Sequence, residues 1–294
     1  MGKHVACLRL RVTPLRDMVL PPASSKVLKD VLLTRGGLLA KLLQGSGFRR
    51  ISVSMLYRGR RPLYSTKSMS KPLSVREGEP LQARICIVGC FEEVQEFMWD
   101  QVSGRFETNY GPVAIEPLEA EVTSETGLSL GGATGLVKIV FRTPAILSNK
   151  ILLCLNPEKR IPLMHRLLPS PGLLLAYLVK EWNNLMDEKI YVRGGQSDPC
   201  IIARAAEVYM AEVDYDLKPV TVVVGRDPKG RLRTPRAVVG WVVYRVVSRK
   251  LASILDKTLA LASRIGVGRS RAIGYGELEA YWLKPQSAKP SPHP

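Results

Sequence analysis

Apolar and polar residues follow two spacings along the first part of the chain. Strict alternation is typical of a half-buried strand, and recurrence every three to four residues is typical of an amphipathic helix. The helical segment KVLKDVLL follows two prolines, with Ser24 or Ser25 in position to cap it. The pattern predicts six elements in the order β-α-β-β-α-β: a strand at residues 4–12, a helix after Ser25, strands at 50–57 and 81–88, a helix from Phe91 and an extended segment at 110–122.

A stretch rich in Gly, Ser and Thr, TSETGLSLGGATG, separates this pattern from a similar one. The second pattern contains a strand at residues 135–143, a helix at 171–186, a strand pair at 219–225 and 237–247, a helix from Ser248 to about Ile265 and a strand at 277–283. We therefore predict an α+β protein of two tandem ferredoxin-like (RRM-like, βαββαβ) domains, at residues 1–125 and 135–284. The glycine-rich segment 266–276 belongs to the second domain, and the tail 285–294 has the composition of a disordered end.

The charge distribution changes this picture from a fold to a function class. The 43 Lys and Arg residues against 26 Asp and Glu give a net charge of +17, which points to a polyanionic partner. Residues 31–76 contain ten basic residues and no acid, and residues 217–255 contain nine basic residues and only Asp227 as an acid. Two such tracts, one in each predicted domain, can form the two walls of one nucleic-acid groove.

Other features exclude several classes of protein. The five cysteines form no C-x2-C pair and are odd in number, so we predict buried thiols and no zinc site or closed disulfide framework. No apolar run approaches the ~18 residues of a membrane span, and the N-terminus lacks the apolar core of a signal peptide. We expect a cytoplasmic protein with no membrane partner.

The segment GVGRSRAIGYG at residues 266–276 combines four glycines with two arginines. Nucleotide-binding loops run from strand to glycine turn to helix, whereas here the helix comes first, so we predict no nucleotide cofactor. Gly266 is suited to end the preceding helix. The other three glycines exceed what a cap requires and permit close approach of a ligand, while Arg269, Ser270 and Arg271 offer charge and hydrogen bonds suited to phosphates.

Four motifs together carry a family resemblance. GVGRSRAIGYGELE, the strand AVVGWVVYRV, the helix PSPGLLLAYLVKEWNNL and the opening PPASSKVLKDVLL resemble the RAMP superfamily, and specifically its CRISPR repeat-processing endoribonucleases. The resemblance implies metal-independent cleavage of CRISPR repeat RNA without a cofactor, by attack of a ribose 2′-OH that leaves 2′,3′-cyclic phosphate and 5′-OH ends. It also allows a second copy of the chain and interference-complex proteins as partners. The alternative is a non-catalytic RAMP subunit that binds guide RNA in an interference complex.

The sequence departs from the family pattern in its histidines. Many members use a histidine in the first domain, but none lies between His4 and His165 here. A lone histidine such as His165 is typically structural, so the chain resembles a histidine-less archaeal branch in which Lys and Arg form the site. There the resemblance assigns catalysis to Lys26 and Lys29, which lie at i and i+3 on the opening helix.

A lysine with a pKa near ~10.4 stabilises a phosphate or protonates a leaving oxygen, and is a poor base unless its pKa is lowered. We therefore expect slow cleavage that accelerates with rising pH. Two arginines of GRLRTPR, Arg233 and Arg236, are the next candidates for contact with the scissile phosphate. The predicted RNA-binding residues are Arg49, Arg50, Gly266, Gly268, Arg269, Ser270, Arg271, Gly274 and Gly276, with Tyr57 and Tyr275 as weaker candidates for base stacking.

Overall fold

The computed structural model describes residues 2–45, 48–69, 71–100, 102–132, 135–152, 162–191, 199–226 and 229–283. The first half contains strands β1 (His4–Pro14), β2 (Ile51–Val53), β3 (Leu81–Gly89) and β4 (Val113–Ser124) and helices α1 (Ser25–Arg35), α2 (Gly37–Gln44) and α3 (Phe91–Trp99). The second half contains strands β5 (Gly135–Ala145), β6 (Met210–Thr221), β7 (Arg236–Val246) and β8 (Leu278–Leu283) and helices α4 (Pro171–Leu185), α5 (Pro199–Tyr209) and α6 (Arg249–Ile265).

Shorter elements complete the described chain. Paired strand segments are Met18–Val19 with Ser74–Val75, Tyr57–Arg58 with Arg61–Pro62, Leu147–Ser148 with His165–Arg166, and Gly225–Arg226 with Leu232–Arg233. Gly104–Phe106 pairs with β4. Single 3-10 turns lie at Glu125–Gly127, Asn149–Leu152 and Arg271–Ile273. None of the described helices combines the length and apolar character that a membrane crossing requires.

Both halves have the predicted ferredoxin-like topology. The sheet of the first half runs β2-β3-β1-β4, and that of the second half runs β6-β7-β5-β8. All neighbouring strands in these two series are antiparallel, with the first strand of each half at a central position. The α+β prediction of two tandem βαββαβ units is confirmed. The predicted division between residues 125 and 135 falls between β4 and β5, and the tail 285–294 lies outside the described residues.

The halves are packed together rather than joined only by a linker. Leu28 of α1 and Phe97 of α3 belong to the core of the first half. Val5 and Val88, on the other face of the first sheet, share a cluster of buried residues with Leu255 of α6. Burial of apolar surface between the halves therefore fixes their relative position, which allows one site to be built from both.

The prediction about the cysteines is wrong for one pair. Cys7 and Cys86 are buried, but they face each other across β1 and β3 and form a disulfide with a Cα–Cα distance of 4.1 Å. Their spacing of 79 residues gives no motif, so only the strand register brings them together. Cys90 is a free thiol. Cys154 and the side chain of Cys200 lie outside the described part.

The limits of one strand and the capping of one helix differ from the predictions. Only residues 219–221 of the strand predicted at 219–225 belong to β6, which begins at Met210, ends at Thr221 and follows α5 directly. Most β6 side chains are exposed because β6 is an edge strand, so apolar alternation is absent. Ser24 and Ser25 also do not cap α1. The Ser24 hydroxyl donates to Leu63 O at 2.5 Å, and that of Ser25 donates to Ile273 O at 2.7 Å.

Candidate active site at the junction of the two halves

A groove of about 780 Å³ lies between α1, the residues after α2 and the glycine loop, which is residues 266–276. Basic side chains from both halves line it: Lys29 and Arg49 from the first half, and Lys150, Lys180, Arg233, Arg269 and Arg271 from the second. Glu181 is the one acidic residue among the described residues that line this groove. Each predicted basic tract contributes one of these cations, Arg49 from residues 31–76 and Arg233 from residues 217–255, and the other five lie outside the tracts.

The two candidate lysines lie close together on α1. Lys29 lines the groove, and Lys26 lies beside Gly225, where an added β-carbon would lie 3.2 Å from the lysine Nζ. Partial burial, followed by repulsion from the Lys29 ammonium, lowers the pKa of Lys26. Lys26 therefore gives up its proton more easily than an exposed lysine does.

His165 lies next to two of the predicted arginines. A smaller cavity of about 240 Å³ is lined by His165, Arg233, Arg269 and Ser270, and shares the last three with the groove. Burial, followed by repulsion from Arg269, lowers the pKa of His165 from its ordinary value of 6.5. The imidazole is therefore mainly neutral at pH 7, a form that can accept a proton.

The glycine loop folds tightly against protein backbone. Val267 N donates to Gly276 O at 2.8 Å, and a β-carbon at Gly276 would lie 1.9 Å from Val267 O. At Gly274, where φ is +80°, a β-carbon would lie 2.7 Å from Met55 N in the first half. These two glycines permit contacts within the protein itself. Contact of RNA with Gly266, Gly268, Gly274 and Gly276 stays a prediction.

Three arginines predicted at the site have other surroundings. Arg50 is held by both carboxylate oxygens of Glu93, at 2.7 and 2.9 Å. Arg236 is exposed at the start of β7 and is not among the groove-lining residues. Arg271 lines the groove, but it is buried and its Nε lies 3.2 Å from Glu181 Oε1.

The tyrosines are also engaged inside the protein. Tyr57 donates its hydroxyl hydrogen bond to Glu277 at 2.7 Å, and Tyr275 is 1% exposed and donates to Val223 O. Tyr275 therefore offers no free ring face for a base.

A second cleft of about 880 Å³ separates the outer face of the first sheet from the second half. Three of its four arginines are paired with carboxylates at 2.9, 3.1 and 3.3 Å: Arg9 with Glu119, Arg84 with Glu277 and Arg142 with Glu279. In contrast, Lys29, Arg49, Arg233 and Arg269 have no ion-pair partner in the described ranges. Among the described residues, the groove thus has these four cations without an ion pair, whereas the second cleft has one, Arg60.

Comparison with known proteins shows the family to which the chain belongs. Residues 6–123 match the family model of the Cas6 N-terminal domain, and residues 139–278 match that of the CRISPR-associated endoribonuclease Cas6. The chain is 32% identical over 287 residues to CRISPR-associated endoribonuclease Cas6 1 of Saccharolobus solfataricus, covering 93% of this chain and 95% of the relative. This chain belongs to the Cas6 family. Cas6 2 of the same organism is 31% identical over 293 residues, covering 93% and 94% of the two chains.

Solved Cas6 structures have the same fold. A Thermus thermophilus Cas6 superposes with a TM-score of 0.63 at 14% identity, covering 95% of this chain and 99% of that one. A Cas6 product complex gives a TM-score of 0.63 at 15% identity, with the same coverage. The predicted resemblance to CRISPR repeat-processing endoribonucleases is confirmed by the two family models and by the Saccharolobus solfataricus relatives.

Sequence reasoning missed Glu181 as a residue of this Cas6 site. The sequence nevertheless indicates that Glu181 is buried. It lies on the same face of the helix as Leu174, Leu178 and Leu185, at the spacing of three or four residues that is typical of one helix face. An acid on a buried stripe predicts a buried partner. Its partner, Arg271, lies 90 residues further along the chain, so the pairing itself could not be derived from the helix.

Proposed function

We propose that this Cas6 family member is an endoribonuclease that binds CRISPR repeat RNA in the groove and cuts precursor RNA within each repeat to produce guide RNAs. The observation that carries the proposal is a cluster of groove-lining cations without internal ion-pair partners in the described chain, supplied by both halves. A negatively charged backbone supplies the partners these cations lack.

The proposed reaction uses the RNA as its own nucleophile. A ribose 2′-oxygen forms a bond to the adjacent phosphorus while the bond from phosphorus to the 5′-oxygen breaks. The products are a 2′,3′-cyclic phosphate and a 5′-OH end. Negative charge develops on the phosphoryl oxygens, where Arg233 and Arg269 can stabilise it. Because cationic side chains supply this charge, we propose a metal-independent reaction with no cofactor.

Proton transfer is assigned to neighbouring groups. Neutral His165, beside both arginines, accepts the 2′ proton. Lys29, aided by Lys26, stabilises the phosphate and returns a proton to the 5′-oxygen. With an imidazole as base, this step should make the rate rise with pH through the pKa of His165, which lies below its ordinary value, and should add no further rise above it.

The remaining predicted residues have supporting roles in this proposal. Arg49, Gly268 and Ser270 line the groove and bind RNA near the cut. Arg236 lies outside the lining and contacts the backbone further along. The second copy of the chain and the interference-complex proteins stay predictions.

The test is incubation with the host's repeat RNA in EDTA, beside a substrate with a single 2′-deoxy sugar at the cut position. We expect one cut in the ribose substrate and none in the deoxy substrate. Lys29→Ala should slow the cut about 100-fold, because loss of one transition-state donor costs about 10²–10³ in rate. Lys250→Ala, which removes an exposed lysine of α6, is the matched control and should have no effect.

Two results would contradict the proposal, and the second of them would favour the non-catalytic alternative. A cut that requires a divalent cation, or that persists in the deoxy substrate, contradicts the mechanism. Tight, salt-sensitive binding without any cut makes the chain a non-catalytic RAMP subunit.

A further inference from the structure

Glu181 of α4 and Arg271 of the glycine loop form a buried ion pair beneath the groove. The Arg271 Nε lies 3.2 Å from Glu181 Oε1, and the side chains are 6% and 4% exposed. Isolated charges are not stable at such burial, so each group depends on the other.

The same carboxylate oxygen holds a second point of the loop. Gly268 N–H donates to Glu181 Oε1 at 3.0 Å. Gly268 and Arg271 flank Arg269 and Ser270, so one oxygen fixes both ends of the segment that faces the groove. Ser270 has a φ of +66°, a left-handed conformation that costs free energy for a residue with a side chain. The tight turn therefore needs support from outside the loop, and α4 provides it.

The Arg271 guanidinium also reaches the first half. It lies 4.9 Å from the centre of the Phe48 ring, and its terminal nitrogens approach Ile265 O and Arg49 O at 3.4 and 3.5 Å. All of these contacts are within the protein. Arg271 thus connects the loop to residues 48–49, on the other wall of the groove.

We infer that Glu181 is a positioning residue of the cleavage site, which acts through Gly268 and Arg271 to hold Arg269 toward the scissile phosphate. The inference rests on the proposed function for its effect on cleavage. It also changes the predicted role of Arg271, which holds the loop instead of binding RNA.

The protonation of Glu181 gives the pair a pH dependence. Burial raises the pKa of Glu181 to about 7, although Arg271 and the Gly268 N–H act in the opposite direction. The ionised form holds Arg271, so the hold is strongest above that pH and weakens as pH falls through it. Other charged or titratable groups line the same groove: Tyr177, Lys180, Lys150, Arg233, Arg269, Lys29 and Arg49.

The first test is Glu181→Gln, which keeps an acceptor for Gly268 and removes the charge. Single-turnover cleavage should slow about 10- to 100-fold, because a misplacement of about 1 Å can cost about 100-fold. RNA affinity should stay within about twofold or increase, since the groove loses its one acid among the described lining residues. The decline in rate near pH 7 should disappear, while the decline that protonation of His165 causes at lower pH remains. Unchanged cleavage in a folded Glu181→Gln protein overturns the inference.

The second test compares Arg271→Gln with Arg269→Gln, the same substitution two residues apart. Loss of one contact to single-stranded RNA reduces the slope of log affinity against log salt by about 0.7. We expect that reduction for Arg269→Gln and an unchanged slope for Arg271→Gln. An equal reduction in both variants means that Arg271 contacts RNA, and refutes the assigned role.

A double variant keeps the inference testable if one of the single variants does not fold. Glu181→Gln with Arg271→Gln removes both buried charges, so it should melt higher than either single variant. Additive losses would show that the pair is not coupled. The binding and melting measurements do not require cleavage. If the wild type binds RNA without cutting it, the proposed endoribonuclease function is refuted, but these measurements still test the ion pair and the role assigned to Arg271.

Discussion

Replacement of Gly274 by alanine tests whether the glycine loop packs closely against the backbone of the first half. Gly274 has a φ of +80°, and an added β-carbon would lie 2.7 Å from Met55 N, 3.0 Å from Ser54 C and 3.1 Å from Met55 Cγ. Two of these neighbours are backbone atoms, and Met55 is fully buried, so they cannot rotate away. The loop or the backbone at 54–55 has to move.

The loss of folding free energy in Gly274→Ala has two contributions, which a control variant can separate. A left-handed conformation costs an alanine about 1–2 kcal/mol relative to glycine, and forcing atoms into a packed site costs about 1–3 kcal/mol more. Gly78 has a φ of +73° and nothing within 4 Å of an added β-carbon, so Gly78→Ala has only the first part. The difference between the variants, about 1–3 kcal/mol, measures the contact between the loop and the first half.

Thermal unfolding of the two variants is the assay. At about 2–4 °C per kcal/mol for large domains, Gly274→Ala should melt several degrees below Gly78→Ala. Cleavage at a temperature where both variants are folded should be slower in Gly274→Ala alone, since only that substitution moves the groove wall. Equal melting temperatures would refute the close approach of the loop to residues 54–55.

Three further predictions concern single side chains. The pKa of Lys26, followed by NMR, should lie below that of an exposed lysine and rise in Lys29→Met, because Lys29 contributes to the lowering; no change would show that the two ammonium groups do not interact. His165→Ala should slow cleavage about 10²- to 10⁴-fold, the usual contribution of a general base, with partial recovery in added imidazole; full activity without imidazole would remove the base role. Arg49→Ala should weaken RNA binding and reduce its salt dependence, whereas Arg50→Ala should alter neither and cost less than about 1 kcal/mol of stability, because its partly exposed pair with Glu93 is screened by solvent.

The fold could be predicted from the sequence because apolar residues recur with clear strand or helix periodicity in the elements that form the two cores. The long strands β1, β3, β5 and β7 and the helices α4 and α6 bury one or both faces, and their spacing predicts them directly. Most side chains of strand β6 are exposed, so its limits depended on its pairing with β7 and could not be derived from apolar spacing.

Prediction of the site from sequence was limited by contacts between distant residues. Charge tracts predict a basic groove, but charge alone does not distinguish Arg49, which lines it, from Arg50, which Glu93 holds. The position of His165 beside Arg233 and Arg269 depends on a two-residue strand pairing with Leu147–Ser148. No local spacing encodes that contact.

The hydrogen bond from Ser25 to Ile273 joins the opening helix to the glycine loop across 248 positions of sequence. During translation, the lysines of α1 leave the ribosome long before the loop that completes their groove has been synthesised. A nascent chain that stops before residue 266 lacks Arg269 and the rest of the glycine loop, which lines the groove. The groove in which we propose that RNA is cut is therefore complete only after the last part of the chain has been synthesised and has folded.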